Sequence, residues 1–123
     1  DAPFGRVGVS ICYDIRFPEL YRAQGAVDLQ IIPAAFTETT GRAHWEILLR
    51  ARAIENQCYV LAVAQGGKHE NGRETHGNSM LIDPWGIILD RLPKGPGVVV
   101  GDVDHARIAD VRASLPALKH RVM

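Results

Sequence analysis

Arg6-Val7-Gly8-Val9-Ser10-Ile11-Cys12-Tyr13-Asp14-Ile15-Arg16-Phe17-Pro18-Glu19 changes its period part-way along. Val7, Val9 and Ile11 alternate with Gly8 and Ser10, which is the pattern of a strand ending at Cys12. Pro18 and Glu19 then open a short helix over residues 20–23. Proline suits the first helical position, and a carboxylate suits the positive end of the helix dipole. Gly25 stops that helix. Residues 27–35 read as a second strand, with Leu29, Ile31 and Ile32 nearly continuous, as in a strand buried on both faces.

Thr39-Thr40-Gly41 is turn and cap chemistry. Residues 42–57 carry the longest helical pattern, with Ile47, Leu48, Ala51 and Ile54 on one stripe. Residues 59–64 make a third buried strand, closed by Gly66-Gly67, and residues 68–73 are a polar loop. Beyond it, residues 78–83, 86–92 and 98–103 read as strands separated by short Pro- and Gly-containing turns, which suggests antiparallel pairing. A last helix starts near Asp104 with Ile108, Val111 and Leu115, before Pro116 interrupts it. The order β-α-β-α-β-β-β-β-α predicts an α/β layer unit: a mixed sheet with helices on one face.

Composition narrows the function classes. At 123 residues, 46% hydrophobic and 23% charged, the chain has the balance of one globular domain at most. Lys+Arg and Asp+Glu both number 14, so the basic excess of a nucleic-acid binder or a membrane-surface protein is missing. Two Cys make no disulfide framework and point to a reducing compartment, hence a cytoplasmic location. Asp1 stands where a Met is usual and runs directly toward a strand. That reads as a chain entered midway.

Cys12 is the residue that suggests chemistry. A side chain at the carboxyl end of a central strand, just before a helix, emerges above the sheet edge, where sites of open α/β sheets collect. A nucleophile in such an elbow is exposed, and the next backbone N–H can help bind an oxyanion. Free Cys is also among the most buried residue types, so position alone leaves a core thiol as an alternative. Cys58, between a helix and a buried strand, reads as that. The five His lack the compact spacing of a zinc site, Trp45 and Trp85 read as packing or turn anchors, and Arg50 and Arg52 pair with Glu46 and Glu55 at helix spacing.

The neighbours of Cys12 sharpen this. The stretch quoted above resembles the cysteine signature of the nitrilase superfamily, the carbon–nitrogen hydrolases. The resemblance continues through Pro33-Ala34-Ala35-Phe36-Thr37, Gly41-Arg42-Ala43-His44-Trp45-Glu46 and Ala51-Arg52-Ala53-Ile54-Glu55-Asn56-Gln57. It then takes in Gly72-Arg73-Glu74-Thr75, Asp83-Pro84-Trp85-Gly86 and Leu115-Pro116-Ala117-Leu118. It is strongest toward the amidase branch of that superfamily.

The resemblance implies half of a four-layer αββα sandwich, with residues 1–123 as the carboxyl-terminal half of one domain. It makes Cys12 the nucleophile, the Tyr13 backbone N–H an oxyanion donor, and Phe36 and Thr37 pocket residues. Asp14, Arg16 and Glu19 are supporting candidates, each with an ordinary alternative as turn, ion-pair or helix-start residue. The implied reaction is hydrolysis of a small linear amide through a thioester with release of ammonia. It uses no metal or other cofactor. The implied assembly is a homo-oligomer through the helices after Cys12 and after Thr40.

Two departures stand out. The family's Glu base and Lys lie upstream of the Cys, and no Glu or Lys precedes Cys12 here. The segment between Arg22 and Gly25 is also about one helical turn shorter than usual, which bears on helix packing and the subunit interface. Two other functions follow from the same features: a catalytically incomplete interaction or oligomerisation module, and an acyltransferase in which an amine takes the place of water.

Overall fold

A computed structural model describes all residues, Asp1–Met123. Strands β1 (Val7–Val9), β2 (Leu29–Ala34), β3 (Tyr59–Ala64), β6 (Ser79–Ile82) and β7 (Ile88–Leu92) form one sheet in the order β1-β2-β3-β6-β7. The first three are parallel, and β6 and β7 are antiparallel additions. This is the mixed sheet expected. Helices α1 (Pro18–Ala23) and α3 (Glu46–Asn56) cover one face, and α4 (His105–Ser114) reaches the start of the other.

β1 is short, and that brevity shapes the site. It pairs Val7 through Val9 with Leu29 through Ile31, and the chain then leaves the sheet in a 3-10 helix, Cys12–Arg16. Pro33, which has no N–H to donate, lies beyond the end of β1, so a proline is tolerated in a strand that is otherwise central. Gly8 leaves room for two side chains: a Cβ there would meet the side-chain oxygens of Gln30 and Gln24, and those amides would have to shift.

The main core joins Ile15, Tyr21, Ile32, Phe36, Trp45, Leu49, Ala53, Val60, Ala62, Met80 and Ile82. A second, smaller cluster of Leu29, Tyr59, Leu81 and Ile108, flanked by Val99 and Val103, lies on the opposite face. It takes in Leu81 of β6 but reaches only the first half of β2 and β3. Val9, Pro33 and Val63 remain exposed, so burial on both faces, expected for β2 and β3, holds at one end of the strands.

The helical run begins earlier than its sequence pattern suggests. α2 (Glu38–Thr40) leads through a π-helical turn, Gly41–Trp45, into α3. Its buried side is Trp45, Leu49, Arg52, Ala53 and Asn56, whereas Ile47 is 68% exposed and Ile54 48% exposed. Of the expected apolar stripe, Ile47 and Ile54 therefore face outward, while Leu48 packs against the edge of the core and Ala51 is half-buried. Arg52 can lie inside because its polar atoms are engaged: Nε donates to the Ile15 carbonyl at 2.9 Å and Nη1 to Glu55 at 2.8 Å. Arg52–Glu55 is the pair expected, but it is buried at the arginine rather than on the surface.

Two further differences concern the second half. Residues 98–103 form no strand: the Val100 N–H donates to the Asp90 side chain instead of to a neighbouring strand. Their alternation is still read out, because Val99 and Val103 pack inward while Val98 and Val100 face out. Extended conformation follows from the pattern, but a ladder also needs a partner. The polar loop at 68–73 is the tip of a small hairpin made by β4 (Gly66–Lys68) and β5 (Glu74–His76). No helix of the structure is long and apolar enough to cross a membrane.

Candidate active site

Cys12 occupies the sharp point where the chain leaves β1. Its φ is +49°, a left-handed conformation uncommon outside glycine, which persists only where the surroundings enforce it. Asp14 is the main enforcer. Its carboxylate accepts the Ile11 N–H at 3.0 Å, its own N–H donates to the Ile11 carbonyl at 3.0 Å, and its carbonyl accepts the Phe17 N–H. From below, Arg52 holds the carbonyl of the fully buried Ile15. The Ser10 and Tyr21 hydroxyls meet at 2.6 Å and tie the end of β1 to α1.

The elbow opens into a cavity of about 300 Å³. Cys12, Tyr13 and Arg16 form one wall; Ala35, Phe36 and Thr37, just after β2, form another; Thr40 and Arg73 complete it. Cys12 also borders a larger groove of about 480 Å³, with Ile11, Pro33 and Val63, on the open sheet face. The thiol thus lies on the seam between the two.

The walls are held from outside. Phe36 is buried with its ring 4.8 Å from that of Trp45, whose indole N–H donates to the Asn78 carbonyl at 3.0 Å. The Phe36 carbonyl accepts from His76 on β5. Thr37 and Thr40 share a hydroxyl hydrogen bond of 2.7 Å, and the Gly41 N–H closes the turn on the Thr37 carbonyl. Next to them Glu38 takes Lys94 at 2.8 Å. That hydrogen bond, with His76 adding to it, lowers its carboxyl to about 2. Lys94 also holds Glu74 at 3.1 Å, so one lysine clamps α2 to the hairpin.

Charge inside the cavity has one sign. Arg16 and Arg73 line it, and no carboxylate does. The Arg16 guanidinium sits 5.3 Å from the Phe36 ring centre and 5.6 Å from that of Tyr13. Arg73 donates to the Ala35 carbonyl at 3.3 Å. Cys58, by contrast, is 1% exposed, and burial pushes its thiol up to about 12, as a core thiol should be.

Of the candidate residues, Cys12, Tyr13, Arg16, Phe36 and Thr37 come together at one cavity. Asp14 stands behind the elbow rather than in the cavity, and Glu19 is exposed on α1, away from it. Thr40 and Arg73 were not among the candidates. Thr40 had a signal in its three-residue spacing from Thr37, which one helical turn brings to the same side. Arg73 had none beyond its place in Gly72-Arg73-Glu74-Thr75, because only the β4–β5 hairpin delivers it.

The family profile described as Carbon-nitrogen hydrolase matches residues 1–113. The chain belongs to the carbon–nitrogen hydrolase family. A deaminated glutathione amidase of Synechocystis is 54% identical over 122 residues, covering 97% of this chain and 44% of that protein. The NitFhit protein of C. elegans superposes with a TM-score of 0.88 at 47% identity, over 99% of this chain and 30% of that one. A mutant amidase of Nesterenkonia sp. AN1, with acrylamide added at its active site cysteine, gives a TM-score of 0.68 at 34% identity. That match covers 89% of this chain and 43% of the amidase. This carbon–nitrogen hydrolase chain spans less than half the length of the curated relatives it matches.

Proposed function

We propose that residues 1–123 are the carboxyl-terminal, nucleophile-bearing half of one hydrolase domain. The whole protein then hydrolyses a small linear amide through Cys12. The observation that carries this reading is the setting of Cys12: a strained strand-end elbow, braced by Asp14 and Arg52, that opens onto a cavity walled by Phe36 and Thr37.

The chemistry follows from the residue type. The Cys12 thiolate attacks the amide carbonyl carbon, and the carbonyl electron pair moves onto oxygen. Cys12 and Tyr13 begin the 3-10 helix, where N–H groups have no intrahelical acceptor, which supports the Tyr13 N–H as a donor to that oxyanion. Collapse breaks the C–N bond, and the nitrogen leaves protonated as ammonia. Water then attacks the thioester, releasing the carboxylic acid and the free thiol. Proton transfer and the second oxyanion donor fall to the Glu and Lys that the family resemblance puts upstream of the cysteine.

In the whole protein we expect assembly as a homo-oligomer through the helices after Cys12 and after Thr40, which are α1 and the helical run through α3. Exposed Ile47 and Ile54 on that run support it. The two unpaired cysteines support a cytoplasmic location.

The test is ammonia release from short aliphatic amides by the full-length protein. Cys12→Ala lowers turnover by about 10⁴-fold or more. A protein quenched during turnover carries an acyl mass on the peptide containing Cys12. Turnover that survives Cys12→Ala overturns the assignment. Residues 1–123 alone, without a general base, turn over at least about 10²–10⁴-fold more slowly than the whole protein. Equal rates would overturn the division of labour between the halves. The interaction-module reading draws on the missing Glu and Lys. It takes the lead if the full-length protein forms no acyl adduct and hydrolyses no amide.

A further inference from the structure

Arg16 lines the Cys12 cavity without a carboxylate to hold it. Its side-chain hydrogen bond runs from Nη1 to Nδ1 of His44, at 3.2 Å. A guanidinium has donors only, so Nδ1 must be the accepting nitrogen and the imidazole proton must sit on Nε2. His44 lies in the π-helical turn beside Trp45, whose indole is anchored on the Asn78 carbonyl. Each carboxylate on the elements around it is engaged elsewhere. Asp14 accepts the Ile11 N–H, Glu38 meets Arg42, His76 and Lys94, Glu46 meets Arg50 and Arg91, and Glu74 meets Lys94. Arg16 is the hydrogen-bond partner left to His44.

We infer that His44 is a positioning residue: as a neutral acceptor it holds the Arg16 guanidinium over Phe36, and so keeps a positive charge on the cavity wall beside Cys12. His44 does not itself line the cavity. Any effect on amide turnover rests on the reading above, whereas the charge beside Cys12 and its control by His44 do not.

Alkylation of Cys12 in the full-length protein reads this charge directly. Iodoacetate is anionic and iodoacetamide is neutral, so the ratio of their rates cancels the thiolate fraction and leaves the local field. Cys58, buried and with its thiol pushed up, does not compete. At low ionic strength Arg16→Gln lowers the iodoacetate-to-iodoacetamide ratio about 3- to 10-fold, as expected for one nearby, partly screened charge.

His44→Leu lowers the ratio to a similar degree. His44→Asn, which keeps an accepting oxygen, restores it. His44→Leu added to Arg16→Gln changes nothing further, because both act through one group. The inference is overturned if His44→Leu keeps the wild-type ratio, if Asn fails to restore it, or if the double variant shows two separate losses. It is also overturned if Arg16→Gln has no effect. A wild-type protein that hydrolyses no amide breaks the proposed function and leaves this ratio as it was, so the two fail separately.

Discussion

On one face of the sheet, α1, α3 and the elbow after β1 bury Ile32, Val60, Ala62, Met80 and Ile82 completely. On the other, α4 and residues near Val99 cover the starts of β2 and β3, and Val9 and Val63 keep more than half their surface in solvent. The contrast separates two jobs. The covered face braces the Cys12 elbow through contacts internal to this chain. The open face carries apolar surface that the chain does not bury, which is the side a sandwich partner layer would occupy. Cys12 belongs to both, lining the cavity and bordering the open groove.

The sharpest way to break this contrast is a matched pair of substitutions, one on each side. Leu49→Ala removes a fully buried side chain and costs about 2–5 kcal/mol in urea unfolding, in this chain and in the full-length protein alike. Val63→Thr, on the open face, costs about 0.5 kcal/mol or less in this chain. A markedly larger loss in the full-length protein would show that Val63 is covered there. Equal small losses would mean that this face stays open.

Next in size is the brace under the elbow. Arg52→Leu removes the hydrogen bond to the Ile15 carbonyl and strands Glu55, which remains about one-third exposed. A loss of about 2–3 kcal/mol follows, below the range for a fully buried pair because solvent screens Glu55. Slower alkylation of Cys12 should accompany it. Unchanged stability would mean that the elbow holds its shape without α3.

The smallest effect is electrostatic. Lys94 favours the charged form of Glu38, so the folded carboxyl lies at about 2, below its ordinary value of 4.5. The stabilisation is therefore full above pH 4.5 and lost as pH falls toward 2. Melting temperatures of wild type and Glu38→Gln should differ most above pH 4.5 and converge toward pH 2. A gap independent of pH across that window would show that Lys94 does not act on Glu38 by charge.

Much of this was legible in the residues. Alternation ending at Cys12, Pro18 at a helix start and the apolar runs of β2 and β3 give the parallel half of the sheet, because local periodicity reports local conformation. The errors have one cause. Residues 98–103 alternate as a strand does, yet no neighbour offers a ladder. Ile47 and Ile54 form an apolar stripe, yet α3 turns Leu49, Ala53 and the hydrogen-bonded Arg52 inward. Which face is buried depends on what packs against it, and a single segment does not contain that information.

The same division applies to the site. The sequence pattern alone marked Cys12 at a strand end in an elbow, because local periodicity shows where the strand stops; its reading as the nucleophile candidate, and that of Phe36 and Thr37 as pocket candidates, came from the resemblance of the surrounding residues to the family. Only the tertiary structure decided that Arg73 joins them across the β4–β5 hairpin, that Asp14 braces the elbow rather than facing the cavity, and that Arg52 supports it from a helix far along the chain. These depend on contacts between segments distant in sequence, and such contacts exist only once the sheet has brought the segments together.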